Sequence, residues 1–138
     1  MGYLVLTTTN LVFICYLFIT NVQLSATQTP ECLEITVKAA RECQEASDIS
    51  KSECEKMSDP NTNLVTASQE LKMMLNCFWK RLGWLDESGR LAEAPGCGTD
   101  EKRFRKFKEA YGELVHRAPD GDKGATISQC RHRRCTTA

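Results

Sequence analysis

The residues with the means to do chemistry are few, and the cysteines lead them. Near the C-terminus, Cys130, His132 and Cys135 offer thiolate and imidazole donors at a short spacing that suits zinc. A closed structural site takes four ligands, and in an oxidising compartment thiols pair with each other, so no metal is expected. His116 and His132 are the only imidazole bases. There is no G-x-S-x-G elbow, H-E-x-x-H pair, P-loop or Rossmann glycine pattern. Asp59, Asp86 and Glu87 stand in turn sequences, where carboxylates cap backbone donors. No catalytic residue and no cofactor are expected, and the chain reads as a non-enzyme. The run EKRFRKFK interleaves cations with aromatics, a combination that grips phosphates and stacks bases in single-strand binders. The whole chain's 18 basic residues are balanced by 18 acidic ones, for a formal net charge of zero. The run therefore reads as the solvated face of a helix whose aromatics point inward, and no nucleic-acid partner is expected.

The elements that must position these residues begin with a leader. Residues 1–26 hold an uncharged apolar run from Leu11 to Ile19, followed by Leu24, Ser25 and Ala26, a pattern that predicts a signal peptide cleaved after Ala26. The run is far shorter than the ~20 residues a membrane-spanning helix needs, so no stable membrane insertion is expected. The product is then secreted and extracellular, with residues 27–138 as one domain, too short for two ordinary cores. Of eight cysteines, Cys15 falls in the leader and Cys32, Cys43, Cys54, Cys77, Cys97, Cys130 and Cys135 fall after it. That number is odd, which predicts one thiol that is free or paired with another chain.

Helical spacing organises most of the domain. Leu33, Val37 and Ala40 recur along Pro30–Ser47, with Thr29 placed to cap and Pro30 suited to the first helical position. Ser50 and Glu53 have the capping-box form and predict a short helix to about Met57, broken by SDPNTN. Thr66 and Gln69 repeat that form before Leu71, Met74, Leu75, Phe78 and Leu82, which fall at i, i+3, i+4, i+7 and i+11 on one stripe. Met73 and Cys77 share a second face of this helix, and Gly83 ends it. LDESG reads as a tight turn and the stretch from Gly89 to Asp100 as a loop. A further helix over Glu101–His116 carries Phe104, Phe107, Tyr111, Leu114 and Val115 on one side, with Lys102, Arg103, Arg105, Lys106 and Lys108 covering the rest. After Ala118 the chain has little apolar content and no helical period, so residues 119–138 are expected to be an irregular tail.

VKAARECQEASDIS, followed by LKMMLNCFWKRLGWLDESGRL, resembles the insect odorant-binding protein family. Members of that family carry a first cysteine in a polar stretch, then a C-x-x-x-C helix running into a K-x-G-L-x-D-x-x-G turn. Aligned on the turn, Cys77 takes the place of the family's third cysteine and Cys43 that of its first, and the resemblance implies that these two are bonded. The position of the second family cysteine is Met73 here, and Cys130 and Cys135 are too close together for the family's last pair, so the pairing of Cys32, Cys54, Cys97, Cys130 and Cys135 stays open.

The resemblance implies an all-α fold, a small disulfide-linked bundle of about five to six helices around an apolar cavity. The implied function is secreted transport of small hydrophobic molecules, odorants or pheromones, in olfaction, with a membrane receptor as a further partner. Leu71, Met74, Phe78 and Leu82 on one helix, Trp84 after it, and Phe104, Phe107, Tyr111 and Leu114 on another are the ligand-binding set it implies. Periodicity alone leaves each of these equally suited to a filled core. The competing reading is a secreted helical effector of salivary or venom type that acts by binding another protein.

Overall fold

The computed structural model describes residues 29–131 and Cys135, apart from Pro60 and Pro95. The expected leader, residues 1–26, and His132 therefore lie outside the described residues. Within them are five α-helices: α1 Pro30–Ser47, α2 Lys51–Glu55, α3 Gln69–Arg81, α4 Glu101–Arg117 and α5 Lys123–Arg131. Single 3₁₀ turns follow α2, precede α3 and precede α5. No strand forms among the described residues beyond one isolated bridge between Leu85 and Leu91.

Local chemistry sets the helix starts. Thr29 accepts the Cys32 N–H ahead of Pro30 at the head of α1, and Asp100 accepts the Arg103 N–H at 2.7 Å to open α4. Ser50 accepts the Glu53 N–H at 3.3 Å, but the Glu53 carboxylate turns outward to Ser68 Oγ and Lys56 Nζ, each at 2.6 Å. Only half of the expected reciprocal cap forms, because a charged partner and a hydroxyl outcompete a backbone donor for the carboxylate. The cap of α3 is Ser68, which accepts the Leu71 N–H, and not Thr66, whose hydroxyl donates to the Asn63 carbonyl inside the preceding 3₁₀ turn.

α3 is the hub, packed by α1 on one side and by α5 on another, and α5 also packs on α4. The apolar stripe of α3 is fully committed to this role: Leu71, Met74 and Phe78 are completely buried. The Cys43–Cys77 disulfide ties α1 to α3, and Cys32–Cys97 ties the start of α1 to the loop before α4. Cys130 and Cys135 pair with each other, so neither thiol is available to zinc. Cys54 is buried and also disulfide-bonded, so the expected free thiol is not found among the described residues.

Residues 119–131 depart most from the sequence reading. A 3₁₀ turn at Asp120–Asp122 runs into α5, where an irregular tail was expected. Lys123, Gly124, Ala125, Ile127, Ser128 and Cys130 are all buried, so α5 is enclosed on nearly every side and has no polar face to generate a period. Small residues allow that enclosure. A Cβ on Gly124 would lie 2.5 Å from the Leu75 carbonyl carbon and 2.6 Å from Asn76 Cα, which means α5 crosses α3 backbone to backbone. Asn76 anchors the crossing, accepting the Gly124 N–H at 2.6 Å and donating to the Asp120 carbonyl at 2.7 Å.

Candidate functional site

Between α3 and α4 the chain makes a loop whose centre is Trp84. After Leu82 caps α3, Gly83 takes φ 81° and the chain reverses. The Asp86 carboxylate accepts from Ser88 N–H, Ser88 Oγ and Arg90 N–H, a set led by the Ser88 hydroxyl that holds its carboxyl below the usual aspartate range. Gly96 then passes so close to Leu82 that a Cβ there would run into the Leu82 carbonyl, and Cys97 N–H donates to that carbonyl at 2.9 Å. Cys97 in turn accepts the Trp84 indole N–H at 2.9 Å. The loop is thus clamped by backbone, indole and disulfide, and Trp84 is held almost fully buried.

The Trp84 ring joins helices that do not pack along each other. α5 packs against both, and Trp84 bridges them through its ring contacts. Its centroid is 4.8 Å from Trp79 of α3, and 5.0 and 5.3 Å from Phe104 and Phe107 of α4, the last two edge-to-face. Tyr111 continues the row at 5.3 Å from Phe107. The Trp79 indole N–H donates to buried Ser128 Oγ at 2.8 Å, fixing α5 beside the cluster.

A cavity of about 450 Å³ opens against this aromatic row. Trp84, Gly98 and Thr99 of the loop form one side, Arg103, Phe107 and Tyr111 of α4 a second, and Cys130 with Arg131 of α5 the third. The Arg131 guanidinium lies over two indoles, 4.9 Å from the Trp84 centroid and 5.5 Å from that of Trp79. Loss of water around it, with a smaller contribution from the like charge of Arg103, lowers Arg131 to about 10, so it stays cationic at neutral pH. Arg103 is exposed and has the Asp100 carboxylate at 3.6 Å.

Of the nine residues expected to bind ligand, Trp84, Phe107 and Tyr111 share this cavity. Leu71, Met74, Phe78 and Leu82 sit in the core at 2% exposure or less and line none of the described cavities. Phe104 is buried against Trp84 and borders a smaller cavity of about 290 Å³ with Lys108. Leu114 borders another of about 370 Å³ with Val65, Gln129 and Cys135. Sequence reasoning missed Gly98, Thr99, Arg103, Cys130 and Arg131. Arg103 was within reach, since it precedes Phe107 and Tyr111 by four and eight residues on one helical face. Arg131 carried no such signal, because its helix has none.

No group of three or more histidine, cysteine or acidic side chains suited to a metal ion occurs among the described residues, and no helix among them is long and apolar enough to cross a membrane. A family model described as "PBP/GOBP family" matches residues 25–134. No curated protein and no solved structure matches the chain.

Proposed function

Because the chain belongs to the PBP/GOBP family, the insect odorant-binding proteins, we propose that it carries one small, mainly apolar molecule in the cavity bounded by Trp84, α4 and α5. The observation that supports this reading is an aromatic wall, Trp84, Phe107 and Tyr111, facing a cavity of about 450 Å³. The volume is within the range of small-molecule sites. In this reading Trp84, Phe107 and Tyr111 touch the ligand. Leu71, Met74, Phe78 and Leu82 act from behind, holding α3 and Trp79 in place. The apolar leader and the disulfides support export to an oxidising fluid, where an aromatic-lined pocket keeps apolar cargo dissolved.

Titration of the disulfide-intact protein with an apolar naphthylamine fluorophore tests the proposal. One saturable site per chain is expected, weakened by Phe107→Ala more than by Phe78→Ala once each variant is shown to be folded. Absence of saturable binding refutes the carrier reading and favours the protein-binding effector.

A further inference from the structure

Independently of the carrier reading, we infer a second binding site, in the cavity of about 370 Å³ at the C-terminal end of α4, that takes a neutral apolar molecule bearing a carbonyl oxygen. It shares no described lining residue with the cavity beside Trp84. Its apolar surface comes from Val65, Leu114, Ala118 and Pro119, and Leu114 is one of the residues the sequence marked for ligand contact. Asn63 and Gln129 supply the directional groups. The Asn63 side-chain oxygen accepts the Val65 N–H at 3.0 Å, and that of Gln129 accepts the neighbouring Leu64 N–H at 2.9 Å. Two consecutive backbone donors thus fix both carboxamides the same way round, with the oxygen engaged and the NH₂ group remaining. Neither NH₂ group donates to a protein acceptor among the described residues.

Those donors define the polar end of the ligand. A carbonyl oxygen has two lone pairs and no hydrogen, so it can accept from both carboxamides and needs no acceptor in return. Thr126 turns its hydroxyl proton back to the Asp122 carbonyl at 2.8 Å and adds no further donor. The Asp122 carboxylate, on the same rim, repels an anion, and its pairing with Lys72 at 2.9 Å leaves little field to attract a cation. The ligand is therefore neutral. The volume stands at the lower end of small-molecule sites, which suits a short ketone or ester laid on Val65 and Leu114.

The test is an NMR titration of the nitrogen-labelled, disulfide-intact protein with 2-heptanone or with 1-heptene, a match that lacks the acceptor, after the cavity beside Trp84 is filled with the naphthylamine fluorophore. The side-chain NH₂ signals of Asn63 and Gln129 report this site, and the Trp84 indole N–H reports the other. 2-Heptanone is expected to shift both NH₂ signals saturably, with an affinity about tenfold above that of 1-heptene, the scale of neutral hydrogen bonds in a partly open site. Gln129→Glu and Asn63→Asp each keep an oxygen for the backbone N–H and put a carboxylate oxygen where the NH₂ group stood. Each should weaken 2-heptanone about tenfold, read at the NH₂ signal of the unchanged residue. Aspartate is itself a good N-cap, so Asn63→Asp is expected to stay folded even if Gln129→Glu disturbs α5. NH₂ signals that do not move with 2-heptanone overturn the site. Equal binding of 1-heptene, or an affinity unchanged in both variants, overturns the carbonyl assignment. If the fluorophore fails to bind, the carrier reading falls, and the same NH₂ shifts, recorded without it, still decide this site.

Discussion

Gly124→Ala and Gly112→Ala make the same chemical change in two helices, and the structure assigns them opposite signs. At Gly112 in α4 the new methyl would meet only Leu91 Cδ1, at 4.0 Å. The substitution there removes the backbone entropy cost of a helical glycine and should stabilise the fold by about 0.5–1 kcal/mol. At Gly124 the same methyl would sit 2.5–2.6 Å from backbone atoms of Leu75 and Asn76, against 3.4 Å for ordinary contact. α5 must retreat from α3 by roughly an ångström, because backbone at a helix crossing has no rotamer to escape into. Overpacking of this kind costs about 1–3 kcal/mol, and stretching the Gly124 N–H bond to Asn76 adds about 1 kcal/mol. After the helix-propensity gain, the net destabilisation is about 2–3 kcal/mol, a fall in Tm of about 10 °C for a domain of this size. No described disulfide joins α5 to α3, so the crossing is held by packing and hydrogen bonds. Calorimetric melting of both variants reads the two signs. Fluorophore binding by Gly124→Ala at low temperature should weaken as well, since α5 carries Arg131 and Cys130 to the cavity. A Gly124→Ala protein that melts at or above the parent's Tm would show that the helices do not cross at backbone distance and would refute the placement of α5.

Two further outcomes follow from single polar groups. Lys123 is 5% exposed and its ammonium donates to the Val115 and His116 carbonyls at 3.0 and 2.9 Å, at the negative end of α4. Lys123→Met should cost about 2–3 kcal/mol by urea denaturation, and an unchanged midpoint would contradict the role given to this cap. Glu53 is held below the usual glutamate range, first by its hydrogen bond to Lys56 and then by that to Ser68. A carboxylate depressed in the folded state contributes stability above its unfolded pKa and loses it as pH falls through the folded one. Glu53→Gln should therefore be destabilising by about 1 kcal/mol near neutrality, with the gap to the parent closing below about pH 4. A gap that stays constant with pH, followed by thermal melts, would exclude the charge as its cause.

Much of the scaffold was readable along the chain because it is written in local chemistry. Pro30 after Thr29, and Asp100 ahead of Phe104 and Phe107, fix helix starts through the first turn's own donors, and the stripe from Leu71 to Leu82 marks the buried side of α3. The turn around Asp86 was legible for the same reason, since its ligands to the carboxylate lie within four residues. What the tertiary structure decided is α5 and everything it touches. A helix enclosed on nearly all sides has neither amphipathic period nor strong formers, and Gly124, Ala125 and Ser128 read as tail until a second backbone is seen pressed against them. The same holds for the cavity. Leu71, Met74 and Phe78 share one period with Phe107 and Tyr111, yet the first three are sealed against α1 and α5 while the last two face open volume. Periodicity reports which side of a helix leaves water, and only the packing of Trp84 and Arg131 between helices decides where that side meets another side chain and where it meets a space.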